Sequence, residues 1–372
     1  MALNYQALNP KSILRDALID PSPDLLAGLS YHKIFGIPGM PNSESVSTGR
    51  SVDLTGAPGL LHGKLLSRSS RDLLGAAAEA QDIAKPINSP RDTVERFALS
   101  EIPFSLKQFD GRTVTPVSHY ENGFLDSATE EIHMVQRASA SVHMKLERAC
   151  AAFFIKRSAE AATADFTPGG WTDVDWQGGS ANGTALDSSS DALQVLSSII
   201  RDARLRAGSK INAAYMSRRV LEKFSTEPSI LGRSVVGDKT KGVAMSQGYA
   251  AASISQVTSA LKEYLELDEI IVSSAIHQNQ NHGQTASSAY IWDADRMWIG
   301  NVGDVSISTR SNSAPRVLNN AGAFCSLVGK MDVRIGEQQD SVMPQYVECV
   351  AETFVDMLSL DQAKGTLIYN MG

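Results

Sequence analysis

Little in this sequence advertises chemistry, and each absence removes a class of protein. The 372 residues include only three cysteines, Cys150, Cys325 and Cys349, far apart and without CxxC spacing. An odd, scattered set excludes a disulfide framework and a zinc knuckle. It fits three buried small hydrophobes in a cytosolic protein. Apolar runs are short; Ala149 to Ile155 is typical and far below the length a bilayer needs. The opening MALNYQALNPKSILRD has no apolar core behind a basic segment, so no secretory signal is expected. Basic charge is not in excess: 34 Lys and Arg face 41 Asp and Glu, a formal net charge of −7. That is a poor basis for an open nucleic-acid-binding face. There is no GxxxxGK[ST], no GxGxxG after a strand, no GxSxG and no HExxH. No repeat of 20–50 residues is visible, which excludes solenoids and propellers. With 42% apolar and 20% charged residues the composition is that of a globular chain. Its length fits two or three units, or one elaborated domain.

The chain divides by texture. Residues 1 to about 40 read as an arm. Leu14, Leu18 and Ile19 make one short amphipathic turn, Pro21 and Pro23 break it, and Tyr31 to Pro41 reads as irregular. Residues 42–100 are rich in Ser and Gly, with one helix expected from about Ser67 to Ala84. The rest is a long excursion of the kind that usually binds something. Residues 102–118 read as a hairpin turning at Asp110-Gly111.

The clearest element runs over 126–160. Ser127 and Glu130 form a capping-box pattern. Ala128, Ile132, Val135, Ser139, Val142, Leu146, Ala149 and Phe153 then recur on one narrow seam. A helix of about 34 residues, roughly 50 Å long, is a strut rather than an average core helix. Residues 164–190, with Trp171 and Trp176 among Gly, Ser and Asp, read as a link at a domain boundary.

Beyond it helix and strand alternate. Helices are expected from Ser188 to Ala207, closed by Gly208, from Ser217 to Phe224 behind a Ser N-cap, and from Ser255 to Leu267. Strands are expected at Ile211–Met216, Glu269–Ala275 and within Ala289–Val302. Residues 321–372 look β-rich, with alternation through Met331–Ile335 and Val347–Val355 and a closing strand GTLIYN.

No catalytic, cofactor-binding or metal residue is assigned. His277 and His282, five apart, share no face of a helix or strand and read as loop residues. His133 and His143 fall off the seam of the long helix and read as surface. Asp173/Asp175 and Asp293/Asp295 have a DxD form that can hold a divalent ion beside phosphates, but read as polar turns. The glycines of WQGGSANG could cradle an anion, but a flexible link explains them better.

The order of these parts resembles the major capsid proteins of tailed bacteriophages, the Hong Kong 97-type shell fold shared by encapsulins. DSATEEIHMVQRASASVHMKLERACAAFFI resembles the family's spine helix, behind an extended-loop return strand, VERFALSEIPFSL. DALQVLSSIIRDARLRAGSKINAAYMSRRVLEKF resembles the helix, strand and short helix that enter the axial domain. SQVTSALKEYLELDEIIVSSAIHQNQ and SSAYIWDADRMWIGNV resemble its second helix–strand pair and the segment after it. QYVECVAETFVDMLSLDQAKGTLIYN resembles the closing strands of the peripheral domain.

The resemblance implies an α+β capsid fold in five parts. These are an N-terminal arm 1–41, an extended loop and hairpin 42–118, a peripheral domain with spine helix 119–187, an axial domain 188–320 and closing peripheral strands 321–372. It implies a non-enzymatic shell protein assembling through pentamers and hexamers into an icosahedral head around double-stranded DNA. Its partners would be itself, portal and scaffolding proteins, and decoration proteins where present, with no membrane and no cofactor. It would be assembled in the host cytoplasm and reside in the virion. Some relatives cross-link Lys to Asn; Lys64 and Asn370 are the positional candidates, and a cross-link is not expected here. The alternatives are an encapsulin-like cargo shell, an unrelated α/β enzyme with a site near 277–300, and a phage tail or adhesin protein.

Overall fold

The computed structural model describes residues 28–35, 50–54, 62–68, 99–121, 127–163, 166–178, 186, 192–227, 230, 253–278, 288–303, 306–308, 316–319, 322–338 and 346–372. In chain order the first elements are α1 (Tyr31–Phe35), β1 (Ser51–Asp53), β2 (His62–Arg68), β3 (Leu99–Ser105), β4 (Lys107–Pro116), α2 (Val117–Glu121) and α3 (Ser127–Ile155). A 3-10 turn at Ser158–Thr163 leads to β5 (Thr172–Asp175), α4 (Ala192–Ala207), β6 (Ala213–Ser217), α5 (Arg218–Thr226) and α6 (Ile254–Leu265). Then come β7 (Glu269–Ser273), β8 (Ile276–Gln278), β9 (Ser288–Tyr290), β10 (Met297–Gly300), β11 (Ser306–Ser308) and β12 (Arg316–Asn319). The last are β13 (Phe324–Gln338), β14 (Tyr346–Ser359), a 3-10 turn at Gln362–Lys364 and β15 (Gly365–Tyr369).

The chain forms two compact units, each drawn from three segments. The first takes Met1–Gly63, Phe104–Cys150 and Ser326–Met357; the second takes Lys64–Pro103, Ala151–Cys325 and Leu358–Gly372.

In the first unit the sheet order is β1-β13-β14-β4. The alternation along β14 sorts its two faces, as successive side chains point oppositely. Val347, Cys349, Ala351, Thr353 and Val355 are buried. Glu348 and Glu352 lie on the other face, paired across strands. Arg112 meets Glu348, and Arg334 Nη2 donates to Glu352 at 2.7 Å. Such cross-strand pairs fix register.

The expected hairpin at Asp110-Gly111 is not there. β4 runs straight through both residues, with Asp110 opposite Glu352 and Gly111 opposite Ala351. The break falls at Leu106, and β3 belongs to a different sheet. Gly111 answers a packing need instead: a Cβ built on it would lie 2.1 Å from the Ala138 carbonyl oxygen of α3.

The long helix is 29 residues, roughly 43 Å at 1.5 Å per residue, and ends at Ile155 rather than 160. Its predicted seam is buried at Val135, Ser139, Val142, Leu146, Ala149 and Phe153, but Ile132 is 58% exposed. The buried face is wider than the seam, taking in Met134, Ala138, His143, Glu147 and Cys150. The segment expected to be irregular from Tyr31 begins with a helical turn, and Leu29, Tyr31, Ile34 and Phe35 are buried. The amphipathic turn at Leu14–Ile19 lies outside the described residues. So does most of the helix expected at 67–84, whose first residues, Ser67 and Arg68, end strand β2.

In the second unit a five-stranded sheet has the order β5-β15-β10-β6-β7. β6 and β7 are parallel and joined through α5 and α6, the crossover that parallel strands require. The helix signals hold. Ser217 caps α5, accepting from the Val220 amide, and Ser253 and Gln256 make a capping box on α6. Gly208, at φ 60°, closes α4 with its N–H on the Arg204 carbonyl.

Side chains of α4, α5 and α6 cover one sheet face in a single apolar cluster with Ala214, Met216, Met297, Ile299 and Ile368. Tyr215 and Trp298, at alternate positions of the same strands, join aromatic rings instead. The Phe154 ring lies 4.8 to 6.3 Å from Phe324, Trp298, Tyr215, Trp171 and Trp292.

The expected link at 164–190 therefore begins as core. Trp171 and Trp176 are 4% and 0% exposed, and β5 adds to the sheet beside β15. Burying rings of that size outweighs any tendency of the neighbouring glycines to stay loose. A second sheet of this unit has the order β11-β12-β2-β3, and β8 and β9 form a small hairpin.

Candidate functional site

The acidic pairs are the first candidates, and each is tied to a cation or an amide. Asp173, on β5, accepts from Arg157 Nε at 3.2 Å, and Arg157 in turn stacks 4.1 Å over the Tyr369 ring. Asp175 accepts from Asn370 Nδ2 at 3.1 Å. Asp293 lies 3.5 Å from Lys156 Nζ and 3.4 Å from Arg296 Nε, and Asp295 lies 3.8 Å from the same Arg296 nitrogen. Arg296 also donates to both Glu160 oxygens, at 2.6 and 2.9 Å, and to the Ile155 carbonyl. Its hydrogen bonds hold the Glu160 carboxyl below its ordinary range, against the opposing effect of burial. Asp173, Asp293 and Asp295 thus serve as counter-ions inside the second unit, while Asp175 holds amides. Asp173 and Asp175 sit on a strand, not the turn expected for them.

The histidines divide. His133 is exposed, as expected, with Nδ1 3.8 Å from Glu130. His143 is not a surface residue: it is 1% exposed. His277 sits on the β8–β9 hairpin, while His282 lies outside the described residues. Among the described residues no three His, Cys, Asp or Glu side chains group so as to hold a metal ion. No helix among them is long and apolar enough to cross a membrane. All three cysteines are free and buried. Burial pushes the Cys349 thiol up to about 12 and the Cys150 thiol well above its usual range. Lys64 pairs with Glu101 at 2.6 Å, and Asn370 bonds Asp175, so each cross-linking candidate has a local partner.

The most concentrated polar arrangement was invisible in the sequence. On α3, His143, Glu147 and Cys150 are spaced to share one face. Glu147 is fully buried, and its carboxylate accepts from the Ser30 amide at 2.9 Å, the Ser30 hydroxyl at 2.6 Å and the Tyr31 amide at 2.8 Å. The Tyr31 hydroxyl lies 2.6 Å from His143 Nδ1, and the two rings stack with centroids 5.8 Å apart. Burial, with Glu147 beside it, pushes the Tyr31 phenol far up, so it stays protonated. Burial, helped by Lys33, pushes His32 down to about 4. A buried carboxylate is tolerated only when its oxygens are satisfied, and here they are. The sole sequence signal was an acidic residue one helical turn from an unexplained histidine.

The outer strands complete the inventory. Among the described residues they are β1 and β4 in the first unit, and β5, β7, β11, β3 and the β8–β9 pair in the second. β4 is the longest of them at ten residues and carries Lys107, Asp110 and Arg112, the charges that keep an outer strand from indiscriminate pairing.

No protein-family model and no curated protein matches the chain. Solved structures do. A phage-related protein from Bordetella bronchiseptica RB50 superposes with a TM-score of 0.56 at 15% identity, over 97% of each chain. That likeness shows the fold: the chain has the α+β, Hong Kong 97-type architecture implied by its resemblance to phage capsid proteins. A virus-like particle from Pyrococcus furiosus aligns over 97% of this chain and all of its own, at 10% identity and a TM-score of 0.46. The capsid of cyanophage P-SCSP1u aligns over 86% of each chain, at 10% identity and a TM-score of 0.41.

Proposed function

We propose that this protein is a major capsid protein, a structural subunit rather than an enzyme. It assembles through pentamers and hexamers into an icosahedral phage head around double-stranded DNA. The observation that carries this reading is the fold, shared with a phage-related protein over nearly the full length of both chains. Fold alone does not dictate function, but the physics agrees. Outer strands such as β4 and β3 are natural sites of strand addition. Head-to-tail contacts of one kind close into rings when the rotation permits. Many weak, repeated interfaces then sum to a stable shell. A net charge of −7 suits a wall that contains DNA without adhering to it.

In this reading residues 1–41 are the arm and 42–118 the extended-loop region, which reach neighbouring subunits beyond the parts that pack on this chain, Leu29–Phe35, β1 and β4. Residues 119–187 belong to the peripheral domain and 188–320 form the axial domain. Portal and scaffolding proteins, and decoration proteins where present, complete the particle, which forms in the host cytoplasm. The test is negative-stain electron microscopy of purified protein after size exclusion. Closed shells or five- and six-membered rings are expected. A single particle that stays monomeric at high concentration, with and without a co-expressed scaffolding protein, would overturn the reading.

A further inference from the structure

Among the described residues the buried Glu147 joins no group that could hold a metal ion, and its contacts are with one short segment far away in sequence. Among the described residues, the side chains of Glu147, His143, Arg50 and Ser51 hold the segment Leu29–Phe35 to the first unit. Glu147 takes the Ser30 and Tyr31 amides and the Ser30 hydroxyl, and His143 meets the Tyr31 hydroxyl. Arg50 donates to the Ile34 carbonyl at 3.2 Å, and Ser51 to that of Phe35. Within the segment, the Lys33 and Ile34 amides bond the Ser30 carbonyl, so the turn carries its own main-chain bonds. The rest of the unit has an independent framework. α3 is a continuous helix, and the β14–β4 ladder runs unbroken through ten residue pairs. Parting the segment from α3 would break neither.

We propose that Leu29–Phe35 is a strap that opens and closes on α3 as one unit, with the Glu147 carboxylate as its catch. Closing buries Leu29, Tyr31, Ile34 and Phe35 and desolvates the carboxylate. Opening returns that carboxylate to water, which offsets part of the lost apolar burial. Parting a seven-residue segment exposes far less surface than unfolding the whole unit, which places its opening below global unfolding. The sequence spacing of 117 residues between Ser30 and Glu147 makes the catch a tertiary contact that local chain structure cannot replace. The inference does not depend on the capsid reading, and its failure would leave that reading intact.

The test is hydrogen exchange with mass-spectrometric readout on the full chain, at increasing sub-denaturing urea. In the wild type, amides 30–35 should exchange through an opening less sensitive to urea than the one that exposes β13 and β14. Glu147→Gln should speed exchange at 30–35 about tenfold or more, and leave the β13–β14 ladder unchanged. Tyr31→Phe, which removes only the hydroxyl contact to His143, should give a smaller increase confined to the same amides. It keeps the test open if the glutamine variant folds poorly. Strap amides that exchange only with the β13–β14 ladder in the wild type, or a Tyr31→Phe effect spread evenly across the first unit, would overturn the proposal.

Discussion

Replacing Gly111 by alanine separates two accounts of one glycine. Were Asp110-Gly111 a two-residue turn, its glycine would accept asparagine, which adopts the same turn conformations. In the fold Gly111 lies in mid-strand against the backbone of α3, and a methyl group there would sit 2.1 Å from the Ala138 oxygen and 3.0 Å from Ser141 Cβ. Ordinary contact begins near 3.4 Å, so strand and helix must part by roughly 1 Å, and the nearest obstacle is main chain that cannot rotate away. Overpacking of this kind costs about 1–3 kcal/mol. At about 2.1 cal/mol/K of unfolding entropy per residue, a chain of 372 residues loses roughly 1.3 °C in Tm per kcal/mol. Gly111→Ala should therefore lower Tm by roughly 1–4 °C in differential scanning calorimetry, and Gly111→Asn by more. Gly336→Ala, on β13 with open space around the new methyl, is the control and should be neutral or slightly stabilising. A Gly111→Asn variant as stable as wild type would refute the packing argument and restore the turn.

Two further outcomes follow from the site geometry. Glu160 has its carboxyl held low by Arg296, so the stability it contributes is complete above its unfolded value near 4.5 and is lost as pH falls through its lower folded value. Urea midpoints from neutral pH to about pH 2 should fall less steeply in Glu160→Gln than in wild type, by the share that this pair contributes. Arg296→Met should cost about 1.5–3 kcal/mol at neutral pH, because it strips a two-oxygen hydrogen-bonded pair. An unchanged acid limb in Glu160→Gln would show the pair to be inert. The buried thiols give the second outcome. Native protein should leave Ellman's reagent uncoloured and release three thiol equivalents on unfolding, since burial holds the Cys150 and Cys349 thiols protonated. A fast native reaction at any of the three would contradict their placement.

Periodic signals were legible because they are local. Val257, Leu261 and Leu265 had to face one way on a helix, and Val347 to Val355 had to alternate on a strand, whatever lay opposite. The Ser217 cap and the Gly208 stop were equally readable, since capping acts within one turn of its own residue. Misreadings came where a local signal had a distant cause. Asp110-Gly111 has turn chemistry, yet the β14 ladder and the approach of α3 keep it extended. Trp171 and Trp176 sit among link-like residues, yet pairing of β5 with β15 draws them into the core.

What the sequence by itself determined is the inventory and order of elements. The long amphipathic helix, the capped helices of the second unit and the alternating strands near the end follow from side-chain periodicity, and their order carried the resemblance to a capsid fold. Tertiary structure alone decided which of those elements share a sheet, and where charge is buried. Nothing along the sequence sets Glu147 apart until Ser30 and Tyr31, more than a hundred residues away, bring their amides to it. Glu160 carries no sign of its partner until Arg296, 136 residues further on, donates to both its oxygens. A buried ion is stable only with its partners in place, and partners joined by folding leave no mark on the spacing of residues along the chain.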